Sequence, residues 1–89
     1  MDFSGADFSQ ATLRETKFNE AKLIGSNFTG ADLSEADFTG ADLTGAVLDD
    51  ADLSKAKLSG AKLTGIALAG TILSELKLDG QPFVRFEGK

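Results

Sequence analysis

The sequence has no cysteine, histidine, tryptophan or tyrosine, and only one proline and one methionine in 89 residues. Without cysteine, disulfides and thiolate chemistry are excluded, and the redox compartment leaves no trace. Without histidine, the side chain that titrates near neutrality is missing. The serines and threonines have no adjacent base, so nucleophile and base pairs of the usual kinds cannot be assembled. A carboxylate pair such as Asp49 and Asp50 diverges on an extended chain, and its spacing is not that of a calcium loop. The glycines lack the Lys-Ser/Thr of a phosphate-binding loop. These absences predict a non-enzyme with no cofactor and no metal. No apolar run approaches the roughly 18 residues of a membrane span. The start, Met1-Asp2-Phe3-Ser4, lacks the basic and apolar regions of a signal peptide, so the default placement is cytoplasmic. A net charge of -5 argues against direct contact with nucleic acid or an anionic membrane and favours basic partners. The length allows one domain, which needs an efficient way to bury its apolar surface.

What is present is a five-residue period. Stepping by five from Phe3 gives Phe8, Leu13, Phe18, Leu23, Phe28, Leu33, Phe38, Leu43, Leu48, Leu53, Leu58, Leu63, Leu68, Leu73, Leu78 and Phe83, all Phe or Leu. Two residues before each stands a small residue in most repeats, Ala in ten of them. The residue before is usually polar and the residue after mostly Ser or Thr, and nine of the ten glycines fall in the remaining phase. On an α-helix a step of five advances successive large residues by about 140° around the axis, so no stripe forms. Interior glycines add about 1 kcal/mol each against a helix. On a straight strand an odd step puts successive large residues on opposite faces. The pattern instead fits a chain that turns by the same amount every five residues, with the large and small residues inside and glycine managing the corner.

These residues resemble the pentapeptide-repeat family, whose motif is Ala, then Asp or Asn, then Leu or Phe, then two variable residues. Ala31-Asp32-Leu33-Ser34-Glu35 through Ala41-Asp42-Leu43-Thr44-Gly45 match it throughout. The resemblance implies an all-β fold, a right-handed quadrilateral β-helix with 20 residues per coil and about four coils. The repeats run over residues 1–85, and 86–89 form a short tail. Ile66, Leu76, Gln81 and Pro82 depart from the small-then-polar pair, so the last coil is expected to be wider or irregular.

With 20 residues per coil, residues 20 apart stack. The central core is expected to be Phe8, Phe18, Phe28, Leu33, Phe38, Leu43, Leu48, Leu53, Leu58 and Leu63, with Phe on Phe at 8/28 and 18/38. Outside, Asp2, Lys22, Asp42 and Lys62 alternate in sign on the first face, as charges at cross-strand distance do. The second face carries Asp7, Asp49 and Asp50, and the third Asp32, Glu35 and Asp52 among others. Those six are the candidate acidic surface for a partner. Val47, Ala67, Ala69 and Ile72 form a candidate apolar interface. Both open ends of such a coil invite association, since Phe3 is already a core position and only Pro82, Phe83, Val84 and Phe86 are placed to close the far end.

Two functional readings follow. The first is a scaffold that binds a protein partner or itself, end to end or side by side, with no direct nucleic-acid or membrane contact. The second rests on the resemblance: some family members, the quinolone-resistance proteins among them, mimic DNA and bind DNA gyrase, so a basic DNA-binding protein such as gyrase is the alternative partner. A rod of about 20 Å, at about 4.8 Å per coil, spans few phosphates, and no dimerising helix follows residue 85.

Overall fold

The computed structural model describes residues 1–78. The expected core position Phe83, the departure at Gln81, the closing residues Pro82, Val84 and Phe86, and the boundary at residue 85 lie outside the described residues.

The chain winds into stacked coils of 20 residues, numbered here coil 1 (1–20), coil 2 (21–40), coil 3 (41–60) and coil 4 (61–78). Four columns of parallel bridges join them: Asp2, Lys22, Asp42 and Lys62; Asp7, Asn27, Val47 and Ala67; Thr12, Asp32, Asp52 and Ile72; and Lys17, Asp37, Lys57 and Lys77. Each column is one side of a four-sided coil. The sides are single β-bridges among the described residues, because only a few residues of each repeat run straight before the chain turns.

One repeat shows how the backbone is satisfied. The N–H of Leu33 donates to the Asp52 carbonyl and that of Glu35 to the Ser54 carbonyl, both at 2.8 Å, while the Asp32 N–H donates back to Ala11 at 2.9 Å. The Ala36 N–H then closes a turn onto the Leu33 carbonyl at 3.0 Å. The third residue of each such turn has a positive φ, from Gly5 at 74° to Glu75 at 55°, and the second does not, which is type II geometry. Glycine suits that position, yet Gln10, Glu15, Glu20, Glu35, Asp50, Lys55 and Glu75 occupy it too. The turn is imposed by bonds between coils as well as by glycine.

The interior is a column of Leu and Phe alternating with small residues. Phe28, Leu33, Phe38 and Leu43 are fully buried, as are Ala36, Ala41 and Ala51. Two expected core residues, Phe8 in coil 1 and Leu63 in coil 4, are only half-buried, and Phe3 is 36% exposed. Among the described residues, Leu43 is covered by coils on both sides, whereas Phe8 packs on coil 2 and Leu63 on coil 3. The Phe8/Phe28 and Phe18/Phe38 rings are stacked with centroids 5.0 and 5.2 Å apart, and edge-to-face contacts link Phe28 to Phe18 and Phe38. Both arrangements suit the ring quadrupole.

Coil 4 keeps the bridge register through Lys77, so the expected irregularity does not appear among the described residues. What changes is the turn. Where Ala fills the small phase the closing bond is 2.9–3.1 Å, but it is 3.3 Å at Ile66 and 3.2 Å at Thr16, Thr71 and Leu76. A larger inward side chain holds the corner slightly open. Ser26 and Thr71 in this phase bury their hydroxyls by donating to the carbonyls of Phe3 at 3.1 Å and Leu48 at 2.7 Å in the coil before.

Candidate interaction surface

The outward residue before each Phe or Leu is the main source of surface charge. In Asp2, Asp7, Asn27, Asp32, Asp37, Asp42 and Asp52 the Oδ1 atom accepts the backbone N–H two residues on, at 2.9–3.1 Å. In all but Asp2 it also accepts the Ser or Thr hydroxyl of that residue, at 2.5–2.7 Å. The carboxylate, or at Asn27 the carboxamide, thus closes a small ring against its own chain, an Asx turn that a hydroxyl reinforces everywhere but at Asp2. The sequence carries the signal: every Asp or Asn in this phase up to residue 52 has Ser or Thr two places later, whereas Lys17, Lys22 and Val47 are followed there by Asn19, Ile24 and Asp49. Reading the two positions separately hides the pairing.

These bonds stabilise the charged form. The Ser or Thr hydroxyl, and then the backbone N–H, hold Asp7, Asp32, Asp37 and Asp42 below the usual carboxylate range. For Asp2 the backbone N–H comes first. The lysines rank after the hydrogen bonds. Lys22 and Lys62 lower Asp42 only weakly, although both stand in register with it on the first face. The alternating column is therefore a line of charges in a shared field and not a set of contact ion pairs. Among the described residues the ion pair within 4 Å is Arg14 with Glu35, at 3.5 Å, and the same Arg14 donates to Ser34 Oγ at 3.0 Å. Neither contact is visible in the sequence without the 20-residue register.

The six candidate acidic residues are not one patch. Asp32 and Asp52 are bridge neighbours in coils 2 and 3, and Asp49 and Asp50 occupy the corner leading into Asp52. Asp7 stands over Asn27 in coil 1, two coils below Asp49, and Glu35 turns to Arg14. Asp49 Oδ1 accepts the Ala69 N–H at 3.1 Å, and the Asp50 carboxylate lies over Gly70. The apolar candidates adjoin this corner: Val47 bridges Ala67, Ala69 is exposed, and Ile72 is 49% exposed on the next side.

A second feature escaped the sequence reading. An open groove of about 560 Å³ runs parallel to the coil axis between the column Glu15, Glu35, Lys55, Glu75 and the column Lys17, Asp37, Lys57, Lys77. It is lined by charges of both signs. No group of three or more carboxylates poised for a metal occurs among the described residues, and no helix there is long and apolar enough to cross a membrane.

The family model of pentapeptide repeats, in eight copies, matches residues 2–40 and 26–65. Among solved structures, the chain is similar to HetL, a pentapeptide repeat protein involved in heterocyst differentiation regulation from the cyanobacterium Nostoc sp. strain PCC 7120. The two are 33% identical with a TM-score of 0.86, over 89% of this chain and 37% of that one. Rfr23, a pentapeptide repeat protein from the cyanobacterium Cyanothece 51142, is 34% identical with a TM-score of 0.87, over 99% of this chain and 56% of that one. A pentapeptide repeat protein of the Arabidopsis thaliana thylakoid lumen is 39% identical over 89% of this chain and 59% of that one, with a TM-score of 0.49. The chain thus spans between about a third and three-fifths of these proteins. Curated proteins give no match.

Proposed function

We propose, from the premise that the chain belongs to the pentapeptide-repeat family, that it is a non-catalytic scaffold whose ladders of outward side chains bind a protein partner or a second copy. The coil is read as right-handed, as the resemblance implies, and the cytoplasm is kept as the proposed location. The observation that supports this reading is how the acidic side chains are used. Asp32, Asp37 and Asp42, each before a core residue, are bonded to their own turns and held in the charged form, which fixes their positions and leaves them poor proton carriers. Fixed charge at a regular pitch is a recognition surface. The acidic corner of Asp49, Asp50 and Asp52, with the adjoining Val47, Ala67, Ala69 and Ile72, is the proposed partner-facing area.

The test sets the scaffold against gyrase-directed DNA mimicry. The chain is assayed for inhibition of gyrase supercoiling, beside a variant carrying Asp32→Asn, Asp49→Asn and Asp52→Asn. Asn27 makes the same turn bonds as Asp32, so at positions 32 and 52 the substitution removes charge without removing the turn. The scaffold reading expects no inhibition. Inhibition that falls with salt and is lost in the triple variant would replace it with mimicry.

A further inference from the structure

We infer that the charged groove is a pairing surface for a second copy of this chain, the two coils lying side by side and antiparallel. The inference rests on the scaffold reading and names its partner. In the middle of the groove, coil 2 presents Glu35 and Asp37, and coil 3 presents Lys55 and Lys57, on the same two columns. Two negative charges thus stand one coil from two positive charges. A two-fold axis crossing the groove between coils 2 and 3 brings Glu35 opposite Lys55 of a second copy and Asp37 opposite Lys57, and the reverse. The surface is its own complement, as an isologous contact requires. A foreign partner would have to reproduce this pattern, whereas a second copy carries it.

The two lysines are the open members of this set, while Asp37 keeps its charge in the groove with Oδ1 bonded to its own turn at Thr39. Lys55 and Lys57 form no ion pair within 4 Å among the described residues, and Lys57 acts on Asp37 only as a minor cause of its lowered pKa. Arg14 reaches Glu35 through Oε1 at 3.5 Å, with both side chains well exposed. The two-fold also sets the outer coils against each other: Glu15 meets Glu75, and Lys17 meets Lys77. The contact is therefore favourable in the middle and unfavourable at its ends, which makes for a weak, salt-sensitive dimer.

Solution mass is measured by sedimentation equilibrium from micromolar to millimolar chain at low and at physiological salt. Four samples are compared with the unaltered chain: Glu35→Lys, the pair Lys55→Glu with Lys57→Glu, an equimolar mixture of the two, and Glu75→Lys. Lys55 and Glu35 already share the same turn position, each with φ of 60°, so the exchanges at 35 and 55 suit the local backbone. Circular dichroism checks that each variant is folded, and Lys55→Gln with Lys57→Gln replaces any pair that is not. The expected result is a dimer that weakens at least tenfold with salt, dissociation of each charge-reversed sample alone, partial recovery of the dimer on mixing because Asp37 is then the one central group left opposite a like charge, and severalfold tightening by Glu75→Lys. A chain that stays monomeric at low salt up to millimolar concentration overturns the pairing. So does a dimer that ignores these exchanges but is lost with Ile72→Thr, and that outcome leaves the scaffold reading standing on its apolar patch.

Discussion

Replacing Gly25 with Ala isolates the energetic role of the corner. At Gly25 φ is +68°, and a Cβ built there meets nothing within 4 Å, so the substitution introduces no clash. The Gly25 N–H donates to the Thr44 carbonyl at 2.8 Å and the following N–H, of Ser26, closes the turn on Leu23 at 3.1 Å, so the backbone cannot relax to a negative φ without losing inter-coil bonds. The cost is then the left-handed conformation of an L-residue, about 1 kcal/mol. In a domain of this size that lowers Tm by about 4–8 °C. Gly5 and Gly60 are equally open, and with Gly25 they stand in three different coils. The double Ala variant at Gly25 and Gly60, which stand on different corner columns, is expected to lose about 2 kcal/mol, with the denaturant slope unchanged because the coils themselves persist. The assay is urea unfolding followed by circular dichroism. A Gly25→Ala chain as stable as the parent, or more so, would refute the claim that positive φ at the corner is held by the stacking of coils.

Leu33→Asp is expected to abolish the cooperative transition, because it places an unpaired carboxylate at a fully buried position between neighbouring coils; an unchanged melt would refute the register. Thr44→Val removes the hydroxyl from Asp42 and keeps its backbone bond, so about 0.5–1 kcal/mol of stability should go and the Asp42 carboxyl should titrate at higher pH by NMR; an unmoved titration would show that the hydroxyl bond does not hold the charge. For acid, the sign follows from Asp7, Asp32, Asp37 and Asp42, all lowered on folding. Their contribution is fully present above the unfolded value of about 3.9 and is lost as pH falls through the folded values, so stability should be flat near neutrality and decline below about pH 4. A decline that begins near pH 6 would contradict this assignment.

The coil was legible because its cause is periodic. Once Phe8 stands over Phe28 and Phe18 over Phe38, every other stack follows from counting by 20, and the columns from Asp2 to Lys62 and from Val47 to Ala67 appear as counted. Three things stayed hidden for physical reasons. Glycine dominates the corner phase, but Glu35 and Lys55 take the same φ because the coils above and below impose it, a tertiary constraint that no local preference reveals. The alternating charges of the first face suggested mutual pairing, yet the nearest donors to Asp42 are the backbone and hydroxyl of Thr44, two residues away on the same chain. The groove required two columns to be read together across a corner, and the sequence keeps Glu35 and Asp37 twenty places from Lys55 and Lys57. Function is fainter still, since the fold fixes the inward residues and leaves the outward ones free to vary.

The five-residue unit has a consequence for how such a chain can change. Four units make one circuit, so loss or gain of a single unit keeps every Leu and Phe inward and every turn intact, yet it rotates all that follows by a quarter circuit. After such an event in coil 3, Lys62 would no longer stand in line with Asp42 but on an adjoining side, and the exterior would be dealt anew while the interior remained as it was. Loss or gain of four units instead alters only the height. A lineage built this way can shuffle its outer side chains in discrete steps, each step a ready-made new surface on an undisturbed frame.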